Sequence, residues 1–303
     1  MNAFKNEGVG SVWVLVNLLV AVGMLVVVPA GLRLIRDPAL AFARRCWPVG
    51  AVAGAVSLWL PRGTVATSLA TVYAVAAAVL CAYALSRPVR PRREWPTEAA
   101  VLTALISPAV AASALIAERA GYHLFGFELG ILTLTVAHFH FAGFAAALIA
   151  GLESSVRSRV AAGRSDGQSQ LTPGRAADAA ALTVPAGTLL VLLGYFTAEA
   201  VELAGAIVLT AGMWTVGWLT WRYARTAPDR LTALLLGCSA VVLAASMALA
   251  VSWALGEATG LPHPSLAWMA ATHGVANALG FAVCAMVGRH RAGAYLGHEE
   301  GTP

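Results

Sequence analysis

The sequence predicts an all-α protein: a polytopic transmembrane helix bundle of about nine spans, with its N-terminus outside and its C-terminus inside. Three observations predict it. The first is composition. Of 303 residues, 59% are hydrophobic and 12% charged, where an average soluble domain carries roughly 25% charged residues. A soluble core of this size cannot hide that much apolar surface, whereas lipid removes the need for a polar exterior; mean hydropathy is +0.73. The second is a series of apolar runs of spanning length at residues 10–32, 46–60, 64–85, 99–117, 127–152, 177–196, 201–221, 231–255 and 267–287. The third is the placing of arginine. With nine crossings, 17 of the 20 basic residues fall in the odd-numbered loops and the tail, which the positive-inside rule assigns to the cytoplasm.

The runs follow in order. Lys5 precedes the first, which is long enough to span, and no small-residue cleavage site follows it, so it reads as a retained helix and not a signal peptide. The second is short and either tilts little or extends at its inner end. The third and fourth are bracketed by Arg87, Arg90, Arg92 and Arg93 on one side and by Arg62 and Arg119 on the other. The sixth and seventh are parted only by Thr197–Ala200, but their combined length requires two crossings. Trp13, Trp59, Trp253 and Trp268 fall near the outer interface, and Trp47, Trp95, Trp218 and Trp221 near the inner one, as in an aromatic belt. The expected organisation is a five-helix half over residues 1–152 and a cytoplasmic linker over 153–176 that contains SDGQSQLTPG. A four-helix half with a short cytoplasmic tail follows over 177–303. No internal repeat is found, so an inverted-repeat transporter draws no support from the sequence.

Several function classes are excluded. The net charge of +5 comes almost wholly from loop arginines, so it marks topology and not a nucleic-acid surface. The four cysteines stand singly, with no CxxC pair to suggest a disulfide framework or zinc site. No nucleotide-binding, protease or hydrolase motif is present, and no catalysis is assigned. The expected partner is the lipid bilayer, with a small molecule or ion as ligand.

Ionisable groups within spans are costly and face the bundle interior. The densest set is LTVAHFHF at residues 134–141. His138 and His140 are two apart on a helix and so differ by about 200° in direction. They cannot easily share one metal, but they suit two sites flanking one helix; neutral histidines bonded to neighbouring helices are the bland alternative. A second set, THGVANALGF at residues 272–281, places His273 and Asn277 four apart on one face. A third is Tyr195, Glu199 and Glu202 at the outer mouth of the sixth and seventh spans, where the glutamates neighbour each other or serve simply as solvated loop ends.

Two resemblances follow from these motifs. VAHFHF at residues 136–141 resembles a helix of the haem–copper oxidase catalytic subunit, in which such a segment ligates one haem on each side. That resemblance implies His138 and His140 as haem ligands. The adjacent His-His copper pair and the His-Pro-Glu segment are absent, so an oxygen-reducing centre is not expected. More broadly, HFHFAGF at 138–144, the segment 199–213 and HGVANALGF at 273–281 resemble the YndJ-like family of bacterial membrane proteins. That resemblance implies a multi-pass protein of the bacterial plasma membrane, and a transporter as some descriptions of the family have it.

The leading expectation is a buried site centred on His138, His140 and His273 that binds haem or a metal ion. The alternatives are a permease using the same residues with Asn277, Glu199, Glu202 and Tyr195 as polar lining, and an assembly or scaffold protein in which they are interhelical glue. The small residues flanking His138 and His273 further predict that the fifth and ninth helices are direct neighbours.

Overall fold

The structure, a computed structural model, describes residues 2–88, 91–162, 171–294 and 296. Among them it is a bundle of nine helices without strands. Helix α1 runs through Asn2–Val22, Gly23–Val27 and Val28–Leu34; α2 is Ala41–Ser57, α3 Thr64–Ser86 and α4 Trp95–Ala120. Helix α5 runs through Leu129–His138, Phe139–Ala145 and Ala146–Ala162; α6 is Leu171–Gly194, α7 Glu199–Ala224 and α8 Arg230–Thr259. Helix α9 runs from Leu266–Met269 through Ala270–Gly274 and Ala276–Val283 to Cys284–Arg291. Eight of the nine are long and apolar enough to cross a membrane. The ninth, α2, has 17 residues and extends the short apolar run at its arginine-rich end.

Contacts at the helix ends sort the loops into two sets. At one end the Arg36 amide donates to the Leu296 carbonyl at 2.6 Å. There Arg87 also pairs with Asp37 at 3.5 Å and Glu98 at 2.5 Å, and Arg291 pairs with Asp229 at 3.2 Å. At the other end Arg62 meets Glu118 at 2.8 Å, and the Phe127 ring meets Tyr195 edge-on. Successive loops therefore alternate between ends, as the arginine pattern requires. Arg90, Arg164 and most of the SDGQSQLTPG stretch lie outside the described residues.

Small residues let the helices close, as expected where lipid removes the hydrophobic drive between them. A Cβ on Gly187 would lie 2.5 Å from the Leu209 backbone nitrogen, and one on Gly205 2.5 Å from that of Val191, so α6 and α7 meet backbone to backbone. The belt expectation fails at one tryptophan: Trp47 is 1% exposed. Its indole N–H donates to the Met24 carbonyl at 2.9 Å, which makes it a core residue. Helix α5 runs on past the end of its apolar run, to Ala162.

Helices α1, α5 and α9 share a departure from α-geometry. Gly23–Val27, Phe139–Ala145 and two segments of α9 are wound as π-helix. Such turns are rare and concentrate at functional sites. Widening the turn leaves carbonyls open to outside donors. In α1 the Met24 O accepts from Trp47, and in α9 the Phe281 O accepts from the Ser239 hydroxyl at 3.1 Å. The π segments of α1, α5 and α9 pack against one another, so α5 and α9 are direct neighbours.

Candidate functional site

His140 lies where α5 meets α1 and α3. Gly23 makes room for it: a Cβ there would stand 2.7 Å from the His140 Cβ. The ring is fully buried. Nδ1 donates to the Val136 carbonyl at 2.7 Å, which requires the neutral ring to accept at Nε2. The Tyr73 hydroxyl supplies that donor at 2.9 Å. Tyr73 in turn packs edge-on to Trp47 with ring centroids 5.6 Å apart. Both nitrogens of His140 are thus occupied by protein.

His273 is closed in a different way. Its Nδ1 donates to the Ser246 carbonyl of α8 at 2.8 Å, and Nε2 accepts from the Asn277 amide at 2.9 Å. The Asn277 carbonyl oxygen accepts from the Ser246 hydroxyl at 2.8 Å. These three side chains form a ring of hydrogen bonds that staples α9 to α8. Ser246 carries no motif and was not foreseen; only its place in an apolar helix offers a signal.

His138 is the open member of the set. Nδ1 donates to the Leu134 carbonyl at 3.2 Å, and Nε2 has no partner among the described residues. The ring is exposed at mid-span. It stands close enough to His273 to act on it electrostatically. The two histidines of α5 therefore point to opposite sides, His140 toward α1 and α3, His138 toward α9. From the outer ends of their helices His138 and His273 lie roughly 14 Å and 10 Å deep.

Glu199, Glu202 and Tyr195 gather at the outer ends of α6 and α7. Glu202 faces the charges of Glu257 and Glu199. The Tyr195 ring packs on Phe127 at 6.2 Å, which ties this mouth to the start of α5. No hydrogen bond or ion pair joins these groups to the histidines among the described residues.

A third polar layer went unforeseen. Arg289, expected in the cytoplasmic tail, is in the last turns of α9 and wholly buried. It pairs with Glu153 of α5, and the Thr220 hydroxyl of α7 donates to the same carboxylate oxygen at 2.6 Å. The guanidinium lies over the Tyr223 ring at 4.7 Å. Arg289 Nε and Nη1 are buried without acceptors. The signal available in the sequence was two opposite charges, each at the inner edge of a long apolar run.

No curated protein and no solved structure matches the chain. The sequence family described as YndJ-like protein matches residues 18–281, a stretch that takes in both histidine motifs and the glutamate mouth. A nine-helix membrane bundle with HFHFAGF on α5 and HGVANALGF on α9 is therefore a member of the YndJ-like family.

Proposed function

We propose that this protein is a permease of the bacterial plasma membrane, in which a small polar or protonatable solute passes along the seam joining α5, α7, α8 and α9. The observation that carries the reading is the stacking of three polar layers along that seam. Glu199, Glu202 and Glu257 stand at the outer mouth. His138, with an open Nε2, stands at mid-depth beside the closed Ser246–Asn277–His273 ring. Glu153, Thr220 and Arg289 close the inner end. Polar groups at membrane depth mark solute and proton paths because lipid tolerates them nowhere else. Like-charged carboxylates repel at the mouth while an ion pair holds the inner end, the arrangement of a path open to the outside. His138 accepts a hydrogen bond or a proton from the solute, and the neighbouring ring holds α8 and α9 in register around it.

Accessibility tests the reading. In a chain whose four native cysteines are replaced, His138→Cys is expected to react with a membrane-impermeant maleimide added outside. Arg289→Met in that background is expected to raise its reactivity from the inside. Reaction from neither side, or from the inside alone, overturns it.

One observation favours a second reading: a single free imidazole nitrogen on a segment resembling a haem-ligating helix fits one axial haem ligand. A bare metal ion is poorly served, because His140 and His273 spend their nitrogens on protein and no group of three His, Cys, Asp or Glu side chains converges among the described residues. Haem bound through His138 gives a Soret band that His138→Ala abolishes and His140→Ala spares. A purified protein with no such band removes this reading.

A further inference from the structure

A second polar site lies away from the seam. At the outer end, Trp13 and Asn17 of α1, Arg62 of the loop after α2, Glu118 and Arg119 of α4, and Gly130 and Thr133 of α5 enclose a cavity of about 230 Å³. Arg62 and Arg119 carry the only basic side chains of the even-numbered loops, and a solvated loop would have left them apart. Here they hold Glu118 between them, with its side chain 1% exposed.

Most of the donors in this cluster are used within the protein. Arg62 gives Nε and Nη2 to one oxygen of Glu118, at 2.9 and 2.8 Å. Arg119 gives Nε to the other oxygen. Its Nη1 gathers the last carbonyls of α2 and the turn after it, Ser57, Leu58 and Leu60, at 3.1, 3.4 and 3.3 Å. Those bonds explain why Arg119 is there, and they saturate Glu118.

Two donor ends are left over. Arg62 Nη1 and Arg119 Nη2 find no acceptor among the described residues. The Arg119 side chain is only 7% exposed, yet Nη2 is not sealed in, and the residue lines the cavity. Two guanidiniums against one carboxylate leave the wall one charge positive. The first turn of α5, at Gly130, adds the unpaired amides and positive dipole of a helix N-terminus. The Trp13 ring, which a Cβ on Gly130 would meet at 2.6 Å, supplies an apolar wall beside these donors.

We infer that this outer cavity binds a small anionic group, a phosphate or carboxylate whose oxygens bridge the free ends of Arg62 and Arg119 at the start of α5. A bidentate oxyanion matches a guanidinium edge better than water does. The group belongs either to a soluble anion or to a lipid headgroup at the level of Trp13, and the experiment separates the two sources.

The protein purified in neutral detergent and stripped of lipid is offered inorganic phosphate, with sodium chloride of equal ionic strength as control, and separately phosphatidylglycerol. Thermal unfolding reads the first and native mass spectrometry the second. A shift with phosphate identifies a soluble anion; retention of phosphatidylglycerol without that shift identifies a headgroup. Arg62→Gln is expected to weaken whichever binds by roughly tenfold to a hundredfold, the worth of a charge-assisted hydrogen bond. Arg93→Gln, a surface change at the opposite end, is expected to leave it unaltered. A variant-free measurement runs alongside: the bound anion must shield Arg62 from phenylglyoxal, read by peptide mass mapping. Binding of neither probe, equal binding by Arg62→Gln, or an unshielded Arg62 overturns the inference.

Discussion

Two histidines two residues apart on one helix have opposite fates. His140 is a satisfied core residue: its carbonyl partner fixes the tautomer and Tyr73 completes it. Replacing Tyr73 by Phe leaves a buried Nε2 without a donor, a loss of about 1–3 kcal/mol. His138→Ala, which breaks only a bond to its own turn and removes an exposed ring, should change stability by about 0.5 kcal/mol or less. Chemical denaturation of the two variants checks the contrast, and a His138→Ala as costly as Tyr73→Phe would place His138 in the core. The opposed directions were legible from helical periodicity. Which of the two rings stays open was not, because the deciding partner, Tyr73, sits 67 residues away from the His140 it bonds and carries no motif.

At the scale of the element, the apolar runs were legible nearly to their ends, because hydropathy sums along the chain whatever the packing. The π-wound segments were not. They form where α1, α5 and α9 meet, so they belong to the tertiary contact and not to local propensity. Lipid removes a further cue: a helix apolar on all sides does not reveal which face is buried, which is why Trp47 reads as a belt residue. Gly23 tests the convergence. Its Cβ position lies against His140, so Gly23→Ala must push α1 from α5. The expected loss is about 1–3 kcal/mol, the range for overpacking, and thermal unfolding reads it. No loss would mean that α1 and α5 are not held at this distance.

At the scale of the whole molecule, the buried pair of Glu153 and Arg289 joins the five-helix half to the last helix. Removing one partner of a buried pair strands the other charge, at a cost of about 3–5 kcal/mol, whereas replacing both with apolar residues is often neutral. Glu153→Leu and Arg289→Met should therefore each destabilise strongly, and the double variant should recover most of the loss. Additive losses in this double-mutant cycle would mean that the pair is not formed. The order of helices and the alternation of their loops were legible from the apolar runs and the arginines, but this lock was not, because a charge at the inner edge of a span reads as a topology signal until its partner is seen.

The central claim is that α5 and α9 hold three histidines in one region and that His138 alone offers a free nitrogen. Diethyl pyrocarbonate, which acylates accessible neutral imidazoles, tests it most directly on the folded protein in membranes, with peptide mass mapping to locate the adducts. His138 is expected to react while His140 and His273 stay protected until the protein unfolds. Protection of His138, or reaction of all three at one rate, would contradict the claim.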